Sequence, residues 1–427
     1  MLIRLSGFQK FFAAIICLVA FGASFSICAQ SAAKKRIEVF EQVWNTINEK
    51  YYDANFNGAD WNAIGKKYRV RLNKISDNKS FYILLDQMVG ELRDSHTRVY
   101  SPEQREQRKK QTRTSVGINI KEIENTVIIS SVASDSEAAN SGIKTGMKVF
   151  SVNDEPIKDA INKARLAVGV SSSNQATKLR VFSKILAGEP DRDLRISLLN
   201  ENGKKQNFVL KRSPVSVSPK VSARVLSKEI AYLKFDNFDE SLETVINEHL
   251  KNFKDAKALI IDLRGNAGGD GEMGLRFAGK FFEEKTKIAQ IVTRTGKPPI
   301  EGMPMTFETE KSGERIFTKP LVVLTDEKTA STAELITNAL QENARARVFG
   351  TNSCGCVLAF LDYKPLIYGG DLTLSEFGFL TPKNKRLEGA GVTPDHKISL
   401  NINDLLNNRD TVLYETEKFL LETIKKQ

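Results

Sequence analysis

Histidine and cysteine are scarce, with three and four residues respectively in a chain of 427. Two of the cysteines, Cys17 and Cys28, lie in an apolar N-terminal run, which leaves Cys354-Gly355-Cys356 as the pair in the body of the chain. Two thiols without clustered histidines do not make a metal site, nor are they a disulfide framework of the kind that holds small secreted domains together. The pair reads as buried reduced thiols ahead of a disulfide, because a bridge across one residue closes a small ring. Nucleic-acid motifs are missing too, although the formal net charge is +11. The basic residues are scattered, with one local cluster at Arg105-Glu106-Gln107-Arg108-Lys109-Lys110. A solvated basic face is the expectation, with no nucleic-acid partner and at most a loose association with an anionic membrane surface. Past the N-terminus no run is apolar enough to span a bilayer.

What is present is the composition of an ordinary globular protein, 41% hydrophobic and 27% charged, too long for one domain. Arg4 and Lys10 precede an apolar run from Phe11 to Cys28, and the small residues of Ala29-Gln30-Ser31-Ala32-Ala33 follow. That order is the pattern of a cleaved signal peptide over residues 1–30, implying export to a periplasmic or extracellular space; an uncleaved anchor is the alternative. Residues 34–101 read as a helical domain, with Ile37, Phe40, Val43, Trp44 and Ile47 at helical spacing and a turn at Asn55-Phe56-Asn57-Gly58. The basic stretch 102–113 reads as a linker.

Residues 114–213 turn to short strands. The stretch Ser141-Gly142-Ile143-Lys144-Thr145-Gly146-Met147, continuing to Val152-Asn153-Asp154-Glu155-Pro156-Ile157, resembles a PDZ domain. That resemblance implies that Val116, Gly117 and Ile118 form a carboxylate loop for the end of a peptide added as a strand. Residues 214–400 alternate buried strands with helices, an α/β pattern, and residues 401–427 hold a terminal helix over Arg409–Lys425.

Two motifs in the α/β part carry chemistry. In the first, the apolar run Leu321-Val322-Val323-Leu324 ends in a turn, and a helix beginning at Ala330 carries Ser331 at its start. Free amides and the helix dipole there favour a developing oxyanion, although a serine at that place is also an ordinary N-cap. In the second, the strand Ile260-Ile261-Asp262-Leu263 runs into Arg264-Gly265-Asn266-Ala267-Gly268-Gly269-Asp270. Its glycines allow close backbone approach, and no Gly-Lys-Ser/Thr follows to make it a phosphate loop.

Together with Gly389-Ala390-Gly391-Val392-Thr393-Pro394-Asp395, these motifs resemble, in order, those of the tail-specific (carboxy-terminal processing) serine peptidases. The resemblance implies an α/β crotonase-like (ClpP/crotonase-type) core with a helical domain ahead of it and an inserted PDZ domain. It implies Ser331 as nucleophile, an oxyanion hole from Gly268, Gly269 and Thr332, protein or peptide substrates, and neither cofactor nor metal. Many members pair the serine with a lysine 25 residues on, where this chain has Cys356; Lys364 lies beyond the motif. The other branch, tricorn-core-like, uses a Ser-His pair and a late glutamate. Ser95-His96 and Glu388 match those, which implies a Ser-His-Ser-Glu site with His96 as general base, Ser95 orienting it and Glu388 behind Ser95. His249 and His396 read as surface and structural residues. The rival class is a non-catalytic hydrophobic-ligand or peptide-binding protein on the same fold.

Overall fold

The computed structural model describes residues 30–188, 192–227, 229–310 and 317–426. The apolar N-terminal run lies outside them, and no helix among them is long and apolar enough to cross a membrane.

Residues 30–50 form a helix whose buried face carries Val39, Phe40, Val43 and Ile47. Helices Trp61–Leu72 and Asn78–Gly90 pack against it, each opened by an aspartate that satisfies an orphan amide. Asp60 accepts from the Ala63 amide and Asp77 from the Ser80 amide, both at 2.9 Å. The helices do not close their own core. Leu358, Leu366, Leu372 and Leu374, from the last third of the chain, complete the same buried cluster. Strand Arg98–Tyr100 pairs antiparallel with Asp371–Thr373 and fixes the segment after the helices on the body of the protein.

The stretch read as a linker is ordered instead. Pro102–Lys109 is a helix and Thr112–Ser115 a strand. Ser101, Pro102 and Gln104 make a capping box with proline in the first turn, a start signal that needs no apolar stripe. The helix buries no residue of its own; Arg105 and Arg108 hold it to the buried Asp371, and Arg108 also lies 3.6 Å from the Tyr363 ring centroid. Strand Thr112–Ser115 pairs antiparallel with Ser213–Ser216, a two-stranded stem where the β-rich unit leaves and rejoins the chain.

That unit has a sheet in the order Ile118–Ile123, Thr126–Val132, Lys148–Val152, Asp193–Leu199, Lys205–Lys211, with helices Ile157–Leu166 and Asn174–Leu186. Ile118–Ile123 is an edge strand. The α/β part is built on a six-stranded sheet whose spatial order follows the chain: Val221–Leu226, Ile230–Phe235, Ala258–Asp262, Leu321–Thr325, Arg347–Gly350 and His396–Lys397. After the first antiparallel hairpin every pairing is parallel. Both faces are covered, which is why its central strands are apolar throughout. Leu233, Ile261 and Val323 point to the side of helices Glu240–Asn252, Gly271–Gly279 and Thr332–Glu342. Tyr232, Ile260 and Val322 point to the other side, under helix Thr411–Ile424.

Candidate active site

Ser331 stands where strand Leu321–Thr325 has ended and helix Thr332–Glu342 begins. The turn between them is tied down by Thr329, whose hydroxyl donates to Leu263 O at 2.8 Å and accepts from the Asp326 amide at 3.0 Å. Ser331 itself has φ 56° and ψ −125°. A side chain in that region costs about 1–3 kcal/mol and persists only where the surroundings enforce it. Here the Ser331 amide donates to Cys356 O at 2.8 Å and to Glu334 Oε2 at 3.1 Å.

Glu334 is a buried neighbour of the serine whose contacts the motif reading passed over. It is fully buried and accepts from Ser353 Oγ at 2.5 Å and from the amides of Gly355 and Cys356 at 2.7 and 2.8 Å. Burial pushes its carboxyl up to about 7, against the pull of those hydrogen bonds. Its spacing, three residues after the serine at a helix start, is the capping-box signal that could have found it.

The glycine loop lies against the serine. A Cβ on Gly268 would fall 2.6 Å from Ser331 Cβ and 2.8 Å from Ala330 O, and its φ is +91°, so only glycine fits. One expected role changes. The Gly268 amide donates to Asn266 Oδ1 at 2.8 Å, because the loop folds its own asparagine side chain back over it, so this amide is not free for an oxyanion. Gly269 and Thr332 have no acceptor for their amides among the described residues, and Thr332 Oγ1 joins the two by donating to Gly269 O at 2.8 Å.

The second half of the site follows the helical unit. Asp94 is buried and accepts from the amides of His96 and Thr97, both at 2.6 Å, which turns the chain sharply and presents Ser95 and His96. Ser95 Oγ lies 2.6 Å from His96 Nδ1 and donates to Glu388 Oε2 at 3.1 Å; the Ser95 amide donates to Glu388 Oε1 at 3.0 Å. A hydroxyl has one hydrogen. With that hydrogen on Glu388, His96 Nδ1 must be the donor to Ser95 Oγ, leaving Nε2 with a free lone pair. Loss of solvation pushes the imidazole down to about 4; Asp94 works against this and the Arg98 guanidinium adds to it. Burial, reinforced by Asp94, pushes the Glu388 carboxyl up to about 7.

One peptide unit joins the halves. The Cys356 carbonyl accepts from the Ser331 amide, and the Val357 amide, on the other side of the same bond, donates to Glu388 Oε2 at 2.5 Å. The structure thus gathers Ser331, Gly268, Gly269, Thr332, Ser95, His96 and Glu388 around the segment 353–358, while no hydrogen bond joins Ser331 Oγ to the His96 ring.

Cys354 and Cys356 form a disulfide, Cα–Cα 5.2 Å, contrary to the preference for free thiols. The turn at Gly355, with φ +71°, brings the two side chains to the same side. Among the described residues no cluster of three or more His, Cys, Asp or Glu is arranged to hold a metal. Lys364 is not a substitute base, being paired with Glu376 at 3.0 Å. His249 stacks on Phe253 and His396 on Phe349, both away from this cluster.

Val116, Gly117 and Ile118 lie in the β-rich unit and take no part in the Ser331 cluster. Val116 is buried, Gly117 has φ +77° with its amide on Ser115 Oγ at 3.0 Å, and Ile118 opens the edge strand. Lys121, on that strand, reaches the core at Glu327, 2.7 Å away.

Comparison with known proteins gives the chain's domains and relatives. Residues 229–398 match the model of Peptidase family S41, and residues 32–90 match the Tricorn protease C1 domain. The carboxyl-terminal-processing peptidase 2 of Arabidopsis thaliana chloroplasts is 25% identical over 378 residues, 84% of this chain and 68% of that protein. Among solved structures, a photosystem II D1 C-terminal processing protease superposes with TM-score 0.57 at 20% identity, covering 87% of this chain and 96% of the other. Mature CPAF complexed with lactacystin superposes with TM-score 0.70 at 13% identity, covering 92% and 99%. The chain thus carries a Peptidase family S41 domain over residues 229–398 behind a match to the Tricorn protease C1 domain over residues 32–90, and along most of its length it is similar to carboxyl-terminal-processing peptidases.

Proposed function

We propose that this peptidase acts outside the cytoplasm on proteins or peptides with exposed C-terminal tails, cleaving them through an acyl-enzyme at Ser331. His96 Nε2 takes the Ser331 hydroxyl proton as Oγ bonds to the scissile carbonyl, then returns it to the leaving amine. Ser95 holds the imidazole in the tautomer this needs, and Glu388 orients Ser95. The amides of Gly269 and Thr332 receive the oxyanion, Thr332 with the positive end of its helix behind it. Water then repeats the sequence on the ester. The observation that carries this reading is the shared Cys356–Val357 peptide, which couples the nucleophile's amide to the carboxylate behind the histidine. The reading requires Ser331 Oγ and His96 Nε2 to close to hydrogen-bonding distance when a substrate binds, since catalytic contacts of this kind commonly tighten only in the substrate complex.

The finer architecture fits the same reading: a helical domain over 34–101, a PDZ domain over 114–213, a crotonase-like core over 214–400 and a C-terminal helix over 401–427. The outer edge of Ile118–Ile123, which pairs with no further strand among the described residues and lies beside helix Asn174–Leu186, suits strand addition by a peptide tail. Export is supported by the N-terminal pattern and by a closed disulfide, which oxidising compartments preserve.

A fluorophosphonate probe tests the chemistry. It should label Ser331 stoichiometrically, Ser331→Ala should abolish labelling, and His96→Ala should slow turnover about 10²–10⁴-fold. Full labelling of His96→Ala at the wild-type rate would remove His96 as the base. Peptides cleaved equally well with a free or an amidated C-terminus would remove tail recognition.

A further inference from the structure

The disulfide takes no part in the chemistry above, yet its three-residue loop touches three parts of the molecule. Its Cys356 carbonyl holds the Ser331 amide at 2.8 Å, and its Gly355 carbonyl accepts from the amide of Gly389, next to Glu388, at 2.9 Å. From the β-rich unit, Ser172 Oγ donates to Gly355 O and Ser173 Oγ to Cys354 O, both at 2.7 Å, at the start of helix Asn174–Leu186. Both cysteines are buried, packed with Ala176 and Ala330.

We propose that Cys354 and Cys356 form a thiol–disulfide exchange site at which a dithiol reductant loosens the backing of Ser331 and slows the peptidase; this rests on Ser331 being the nucleophile. One reductant thiolate attacks a cysteine sulfur and breaks the S–S bond, giving a mixed disulfide. The second reductant thiolate displaces it. Two electrons pass from the reductant, which leaves as its own disulfide, and both cysteine sulfurs take up protons.

Opening the bridge lets residues 354–356 sample more conformations, and Ser331, at φ 56°, depends on their carbonyl to stay in place. The loop does not come free altogether. Glu334 still holds the amides of Gly355 and Cys356, and Glu388 that of Val357, so the effect is a slowing and not unfolding. Because the cysteines are buried and Ser172 and Ser173 hold the loop's carbonyls, exchange requires that start of helix to lift from the loop, so reduction is slower than for an exposed bridge.

The test uses the full chain, air-oxidised or treated with dithiothreitol, with thiols counted by alkylation and mass. The expected result is two new thiols, unchanged far-UV circular dichroism, and a fluorophosphonate labelling rate at Ser331 lowered by about threefold or more, restored on reoxidation. A Cys354→Ser/Cys356→Ser variant should show the lowered rate and no response to reductant. An unchanged or faster rate in fully reduced protein overturns the proposal, as does a bridge that stays closed in excess dithiol or a fold lost on reduction. Oxidised protein that is never labelled overturns the nucleophile assignment itself, and the two failures are thereby told apart.

Discussion

Single side chains here carry charge states far from their ordinary ones. Glu334 is pushed from 4.5 to about 7 by burial, so the folded protein holds its proton more tightly than the unfolded chain. Stability from that proton is complete below about pH 4.5 and is lost as pH rises through about 7. Glu388 has the same sign, whereas His96, lowered from 6.5 to about 4, loses stability as pH falls through that window. Thermal midpoints measured across this range should therefore decline less steeply with rising pH in Glu334→Gln than in wild type, whatever the variant's absolute stability. Identical slopes would show that Glu334 does not titrate there. Ser95, His96 and Ser331 were picked out in the sequence by short, local motifs that resemble a family's. Glu334 was within the same motif but hidden as chemistry, since its role exists only once residues 353–356 fold back onto it.

At the scale of elements, the glycine loop and the helix start make one object. Gly268→Ala places a Cβ against Ser331 Cβ and Ala330 O with φ at +91°. The expected cost is about 1–3 kcal/mol of stability and, with Ser331 as the proposed nucleophile, a larger loss in kcat than in KM, because the displaced atoms are those of its turn. Denaturant unfolding and steady-state kinetics on one preparation check both; a variant with wild-type kcat would uncouple the loop from the serine. Apolar strands such as Ala258–Asp262 and Leu321–Thr325 were readable from their runs, and the helix expected from Ala330 begins at Thr332. Pro102–Lys109 was not, since its charge masked a capping box whose stability comes from Asp371, more than 260 residues away in sequence. By the same logic Ser101→Ala should lower stability by about 1 kcal/mol in denaturant unfolding and leave kcat untouched.

In the whole molecule the helical unit and the α/β part share a core. Leu374 is fully buried among Phe40, Leu85 and Met88, and Leu374→Ala should cost about 2–5 kcal/mol. Because this cluster also supports the segment bearing His96, turnover should fall with stability, and unfolding followed by tryptophan fluorescence and by loss of activity should coincide. Two separate transitions would mean that the helical unit folds independently. Local sequence was enough to write the turn at Ser331, the glycine loop and the place of His96, because each depends on residues adjacent in the chain, while the roles proposed for them came from the family resemblance. The closing of Cys354 on Cys356, the diversion of the Gly268 amide to Asn266, and the peptide that Ser331 shares with Glu388 were decided by tertiary structure. Each depends on groups that only three-dimensional packing brings within hydrogen-bonding or bonding distance, and on burial that leaves them no solvent to turn to instead.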